Sequence, residues 1–143
     1  MGSGFSSDNE NERIGAIFDA IRHERFSLAA DLITKGRGVN CINFVGSTPL
    51  IETCKHRRNS ITKRSVVECA RESFVRFLID NTCDSSKYDI YGWTALMYAE
   101  KNGHSNIANI LEKTEDDMNS RVLIKRAMRQ KAHNKKNKHL VIE

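Results

Sequence analysis

The sequence contains one proline and one tryptophan, and its eight glycines are not gathered into any one segment. A collagen-like or linker-like chain is thereby excluded. No apolar run approaches the roughly 20 residues a membrane-spanning helix needs. The first residues are rich in Ser, Asn and Glu and carry no hydrophobic stretch, so no secretory signal is expected. The four cysteines, Cys41, Cys54, Cys69 and Cys83, form no C-x-x-C pair and are joined by no paired histidines. They are expected to be reduced cytosolic thiols without a metal or disulfide role. Also missing are G-x-x-x-x-G-K-[ST], G-x-G-x-x-G and H-E-x-x-H, the motifs that cradle phosphates, dinucleotides and zinc. No Ser, Cys or carboxylate stands at a spacing that suggests a triad or dyad. The expectation is a protein that is not an enzyme and takes no cofactor.

What is present fits one domain, since 143 residues lie within the usual range. The net charge of +5 is unevenly placed. From Ser120 to Ile142 there are eight Lys or Arg and no Asp or Glu, and from Lys55 to Arg71 six basic residues and one acid, Glu68. A net acidic body therefore carries a basic insert and a basic tail.

Internal periodicity decides the architecture. Gly46-Ser47-Thr48-Pro49-Leu50 matches Gly92-Trp93-Thr94-Ala95-Leu96 at a distance of 46 positions. Phe74-Val75-x-x-Leu78 matches Ile107-Ala108-x-x-Leu111 at 33. The period is therefore 33, with 13 residues inserted in the middle unit. A third unit precedes these two, with Ile17, Ala20 and Ile21 in its first helix, Leu28 and Leu32 in its second, and Gly36-Arg37-Gly38-Val39-Asn40 at its close. Each unit reads as two short helices and an extended turn. Thr48 can cap a helix that Pro49 opens, where the missing N–H costs nothing. Gly36 is expected to end the preceding helix in the left-handed conformation. One unit alone cannot bury its apolar face, so the units must stack. Leu32, Leu78 and Leu111 should then stack, as should Leu28, Phe74 and Ile107, and Ile17, Leu50 and Leu96.

G-x-T-P-L, a second helix of I-V-x-x-L-L type and a closing G-A-D-V-N resemble the ankyrin repeat over about residues 12 to 119. Ile51 and Met97 stand where that family usually has His, and Thr82-Cys83 replaces its usual Gly-Ala. The resemblance implies an all-α ankyrin-repeat solenoid of about three repeats plus a C-terminal capping helix. The expected organisation is a flexible N-terminus (1–11), repeats at 12–43, 44–89 (with an insertion near 57–71) and 90–119, a capping helix (120–133) and a basic disordered tail (134–143). Leu123, Ile124, Ala127 and Met128 share one helical face, expected to cover the last repeat. Ser65-Val66-Val67-Glu68 is a capping box. It predicts a helix from near Val66 to about Asp80, with an exposed, mobile loop before it.

The resemblance also implies a function, binding of a protein or peptide through hairpin tips and the concave inner-helix face, in an adaptor, scaffold or regulator. By position the tips are Phe44, Val45, Ser47, Ile90, Tyr91 and Trp93. The inner-helix positions are Arg22, His23, Lys55, His56, Lys101 and Asn102. The tips are unusually apolar, which suggests a hot-spot patch, although some tip residues, Trp93 above all, can fold back over a neighbouring repeat. The inner positions carry three cations and no carboxylate, which suits an acidic peptide with apolar anchors. His104 falls at the family's structural turn. His23 and His56 are expected at the surface, and His133 and His139 belong to no cluster.

The basic tail leaves three readings open: a solvated tail, a nuclear-import signal, or a site for RNA or acidic membrane. With no aromatic residue to stack on bases, it makes nucleic acid the weaker partner. Met1-Gly2-Ser3-Gly4-Phe5-Ser6 fits an N-myristoylation signal, so the alternative function is a peripheral membrane protein held by an acyl chain and the basic tail. The same first four residues also read as a cloning remnant. A cytoplasmic, or nuclear, location is expected.

Overall fold

The computed structural model describes residues 3–36, 38–56 and 66–141. Among the described residues six helices follow in order: α1 (Ser3–Arg22), α2 (Phe26–Lys35), α3 (Pro49–Lys55), α4 (Val66–Asp80), α5 (Ala95–Lys101) and α6 (Ser105–Val141). Among the described residues there is no strand, and only an isolated bridge joins Tyr88 to Thr94. The chain divides into two units, Met1–Leu111 and Glu112–Glu143. The first holds three helix pairs. In it α1 packs on α3 and α3 on α5, while α2 packs on α4 behind them.

Local chemistry sets the helix starts. The Thr48 hydroxyl accepts the Ile51 N–H at 3.2 Å, and Pro49 follows in the first turn of α3. Thr94 does the same for α5, accepting from the Met97 N–H at 3.3 Å. Helix α4 spans Val66 to Asp80, as the capping-box reading expects. Ser65 and the loop before it lie outside the described residues, as do Met1 and Gly2 of the acylation motif. Gly36 departs from expectation. Its φ is −119°, and the left-handed residue of this turn is Gly38, at φ +82°. The left-handed residue stands three positions after the helix end, and the freedom of glycine is needed there.

The repeat register is visible in the backbone. Arg25 N–H bonds to Ala20 O at 2.8 Å, and His104 N–H bonds to Ala99 O at 2.9 Å, the same turn 79 residues apart. Gly103 takes the left-handed position of that turn in the third unit, at φ +79°; Glu24 takes it in the first, at φ +60°. That a glutamate stands in a conformation natural to glycine points to a task for its side chain, described below.

Burial follows the register, modified by the ends of the stack. Phe74, Ile107, Leu78, Leu111, Ile17 and Leu50 are all buried. Leu28, expected to stack with Phe74 and Ile107, is 45% exposed, and Leu32 is half-buried. Leu28 belongs to the side on which an earlier unit would pack, and among the described residues none does. The core of the first unit instead uses Phe26, Ala29 and Ile33, with Phe26 against Phe74 at 5.4 Å between ring centroids. The mirror effect appears at the other end. Phe18 and Ile51 are buried, whereas Met97, one period on, is 47% exposed. Ile33→Ala should therefore cost about 3 kcal/mol in urea unfolding, and Leu28→Ala well under ~1 kcal/mol; equal losses would contradict this register.

Helix α1 begins at Ser3, and helix α6 runs from the last repeat to Val141, which supplies a C-terminal helix. The segment from Ser105 to Val141 has no Gly or Pro, so neither of the two strongest helix breakers interrupts it. Leu123, Ile124, Ala127 and Met128 are exposed within the second unit.

All four cysteines are free. Cys54 is wholly buried, and burial pushes its thiol up to about 12; burial likewise pushes Cys83 up to about 11 and raises Cys41. Cys69 is exposed.

Candidate functional site

The hairpin tips are built twice by the same device. Asn43 Oδ1 accepts the N–H groups of Val45 (3.1 Å) and Ser47 (3.0 Å). Asp89 Oδ1 accepts those of Tyr91 (3.0 Å) and Trp93 (3.0 Å). The side-chain oxygen substitutes for a backbone turn acceptor, which is why Asx residues favour such positions. Gly46 and Gly92 sit at φ +74° and +78°. At Gly46 an added Cβ would meet the Ile90 N at 3.5 Å, an ordinary contact, so it is the backbone conformation and not the space that favours glycine there. The two tips are joined directly, the Ile90 N–H donating to Val45 O at 3.0 Å.

This scaffold projects apolar side chains into solvent. Phe44 is 95% exposed, Ile90 66% and Tyr91 68%. Val45 is half-buried beneath them, its carbonyl spent on the joint. Trp93 is half-buried as well, packed on Tyr98 at 5.1 Å with the Lys101 ammonium over its ring at 4.8 Å. Trp93 is thus held within its own repeat. Ser47 does not belong to the exposed tip. It is completely buried, and its hydroxyl accepts from Lys55 Nζ at 2.6 Å. A serine just before the capping Thr48 points inward, toward the inner-helix lysine eight residues on.

The inner-helix face is less uniformly cationic than its sequence suggests. Glu52, 6% exposed, stands among the cations. Its carboxylate lies 3.3 Å from Arg22 Nε, 3.8 Å from Lys55 Nζ and 3.8 Å from His56 Nε2. Burial lowers the pKa of His56 despite the facing Glu52, so this histidine is neutral at pH 7. Arg22 also reaches Asp19 at 3.4 Å. Lys55 Nζ lies 5.5 Å from the Tyr98 ring centroid. Lys101 is exposed and, among the described residues, faces no carboxylate within ion-pair distance. His23 is exposed, its Nδ1 donating to Asp19 O at 2.7 Å. Asn102 is occupied structurally: its amide donates to Cys54 O and Lys55 O, both at 2.9 Å, and closes the end of α3. The structure thus joins Phe44, Val45, Ile90 and Tyr91 into one patch, and Lys55, Lys101 and Trp93 into a second cluster around Tyr98. Ser47 is buried, and Asn102 is half-buried with its amide bonded to the end of α3.

Behind this face lies a polar stitch that the composition hides. Arg71, 1% exposed, is counted by sequence among the basic residues of the insert. Its guanidinium donates to Thr53 O (2.8 Å), Glu24 Oε1 (3.0 Å) and Glu68 Oε1 (3.2 Å), and lies over the Phe26 ring at 5.2 Å. His104, 33 residues later and 2% exposed, donates from Nε2 to His56 O at 2.5 Å, with Nδ1 3.4 Å from Glu68 Oε2. Equivalent positions of successive units thus carry donors that reach back to the preceding unit. Glu24 needs its unusual backbone to bring a carboxylate to Arg71. His104 is a turn residue, as expected.

A family model of ankyrin repeats, in three copies, matches residues 17–122. The chain belongs to the ankyrin-repeat family. The match covers most of the chain and coincides with the three stacked helix pairs. Ankyrin repeats are in general protein-interaction modules, typically without catalytic activity. A search of curated proteins found no match. Among the described residues no group of His, Cys, Asp or Glu could hold a metal ion, and no helix is long and apolar enough to cross a membrane.

Proposed function

We propose that the chain is a non-catalytic adaptor or regulatory module that binds an acidic protein segment bearing an apolar anchor, across its hairpin tips and inner helices. The observation that carries this reading is Phe44, 95% exposed on a turn fixed by two side-chain hydrogen bonds. Exposing a phenyl ring on a rigid turn gains nothing for folding. Beside Ile90 and Tyr91 it forms the kind of anchored aromatic patch from which interfaces draw most of their energy. Lys101 and Lys55 supply the charge complement at the base of the tips. Glu52 offsets part of it, so the positive field is concentrated near Trp93 and Tyr98 rather than spread to Arg22.

The test is capture of a binding protein by the wild-type chain and by Phe44→Ala/Tyr91→Ala, followed by titration of what is captured. The double variant should melt with the wild type, because both side chains are exposed, and should bind at least ~30-fold more weakly. Lys101→Glu should weaken binding further at low salt than at high salt. Equal capture by the wild type and the double variant would place the interface elsewhere. Trp93 is left unchanged, since its ring supports Tyr98.

A further inference from the structure

Helix α6 continues past residue 122, where the repeat match ends, and the segment Arg121–Gln130 has a chemistry the repeats do not explain. At 3.6 residues per turn, Leu123, Ala127, Ile124 and Met128 occupy one arc of about 140°. Arg121, Lys125, Arg129 and Arg126 occupy the opposite arc of about the same width. All eight side chains are exposed; Leu123 is 63%, Ile124 56% and Met128 66% exposed. No Asp or Glu occurs from Met118 to Ile142, so nothing within the segment neutralises the four cations.

Three kinds of surface could meet such a helix. A second copy of the same segment would bring four cations against four cations. A pocketed acidic protein would call for a large anchor, and this segment has no aromatic residue. An anionic lipid surface requires neither matched positions nor a deep anchor. It offers a continuous negative field and an apolar layer immediately beneath it, the two properties displayed on the two arcs. Arg121 adjoins Met128 on the wheel, so its stem can lie on the apolar boundary while the guanidinium reaches the headgroups. No described helix is apolar enough to span, which leaves an orientation in the plane of the interface.

We infer that Arg121–Gln130 is an in-plane binding segment for anionic phospholipid, independent of any acyl chain at the N-terminus. The segment acts through mixed apolar and electrostatic contact, so neither arc suffices alone.

The test uses the full chain, made without acylation, and sedimentation with vesicles of phosphatidylcholine containing 30 mol% phosphatidylserine or none (about one charged lipid in three, to reproduce an anionic leaflet). Binding is expected to the charged vesicles only, and to fall at least ~10-fold between 0.1 and 0.5 M salt. Arg121→Gln/Lys125→Gln/Arg126→Gln/Arg129→Gln should reduce partitioning roughly 100-fold or more. Leu123→Ser/Ile124→Ser/Met128→Ser should reduce it about 10-fold or more. The control Arg76→Gln/Lys87→Gln, two exposed cations outside α6, should change nothing. Circular dichroism verifies that each variant keeps its helices. No sedimentation with charged vesicles overturns the inference. So does an undiminished response of the serine variant, which would leave plain charge adsorption. Binding to soluble poly-glutamate without binding to vesicles would assign the segment to an acidic protein instead, and equally overturn it.

Discussion

Replacing Arg71 by methionine should destabilise the stack by about 3 kcal/mol in urea unfolding, a large share of what so small a domain holds. The side chain is 1% exposed and stands between the first two units. Methionine fills much of the volume but donates nothing. Thr53 O loses a partner, and the Glu68 carboxylate, 14% exposed, loses a cation at 3.2 Å. Glu24 suffers less, because at 41% exposure water can replace the guanidinium. The loss should therefore fall below the upper end of the roughly 3–5 kcal/mol seen when a buried pair is broken. Arg71→Lys should recover only part of it, since one ammonium cannot reach three acceptors set in different directions. Because stacked repeats derive stability from neighbour interfaces, the first unit should loosen before the rest, which amide exchange in α1 and α2 would read. A methionine variant that unfolds with the wild type would mean the stitch is incidental.

Arg71 also shows how far the sequence could be read. The period of 33, the helix pairs and the start of α4 at Val66 were legible because Thr-Pro caps, glycine turns and apolar spacing are local signals. Arg71 was hidden by composition: six basic residues near an insertion look like a solvated patch. Its periodicity was the available signal, because one step of 33 back from His104 lands on it. Asn43 and Asp89 carried a similar signal, 46 residues apart and each three before a turn glycine. Glu52 was not legible because it stands at none of the outward positions of α3, and only the fold sets its carboxylate among Arg22, Lys55 and His56. Leu28 was misjudged for a different reason. Periodicity identifies equivalent positions, but burial depends on whether a neighbour exists on that side, and the first of the described repeats has one neighbour among them.

The same turn chemistry makes the second large effect specific. Asp89→Ala should cost about 3 kcal/mol, whereas Asp89→Asn should cost about 1 kcal/mol. Asp89 is 3% exposed, and its two oxygens are divided between tasks. Oδ1 holds the N–H groups of Tyr91 and Trp93, and Oδ2 accepts from the Tyr98 hydroxyl at 2.5 Å. Alanine leaves all three donors without their acceptor. Asparagine keeps Oδ1, as Asn43 does naturally one unit earlier, and turns its amide toward a hydroxyl that can accept. The pH dependence separates the two further. Burial pushes the Asp89 carboxyl up, but the bonds from Tyr98, Trp93 and Tyr91 and the charge of Lys55 together outweigh it and hold the group below its usual 3.8. The unfolded chain therefore binds this proton more readily than the folded one. The stabilisation is fully present above the usual carboxylate range and is lost as pH falls below about 4 through the lower, folded value. Between pH 7 and pH 3 the wild type should lose stability that Asp89→Asn does not lose at this site. The difference between the two unfolding curves, plotted against pH, isolates that part from the other carboxylates. Because this turn also carries Tyr91 and braces Trp93 against Tyr98, Asp89→Ala should weaken partner binding although Asp89 itself is buried. A parallel difference across the whole pH range would show that the hydrogen bonds at Asp89 do not depend on its charge.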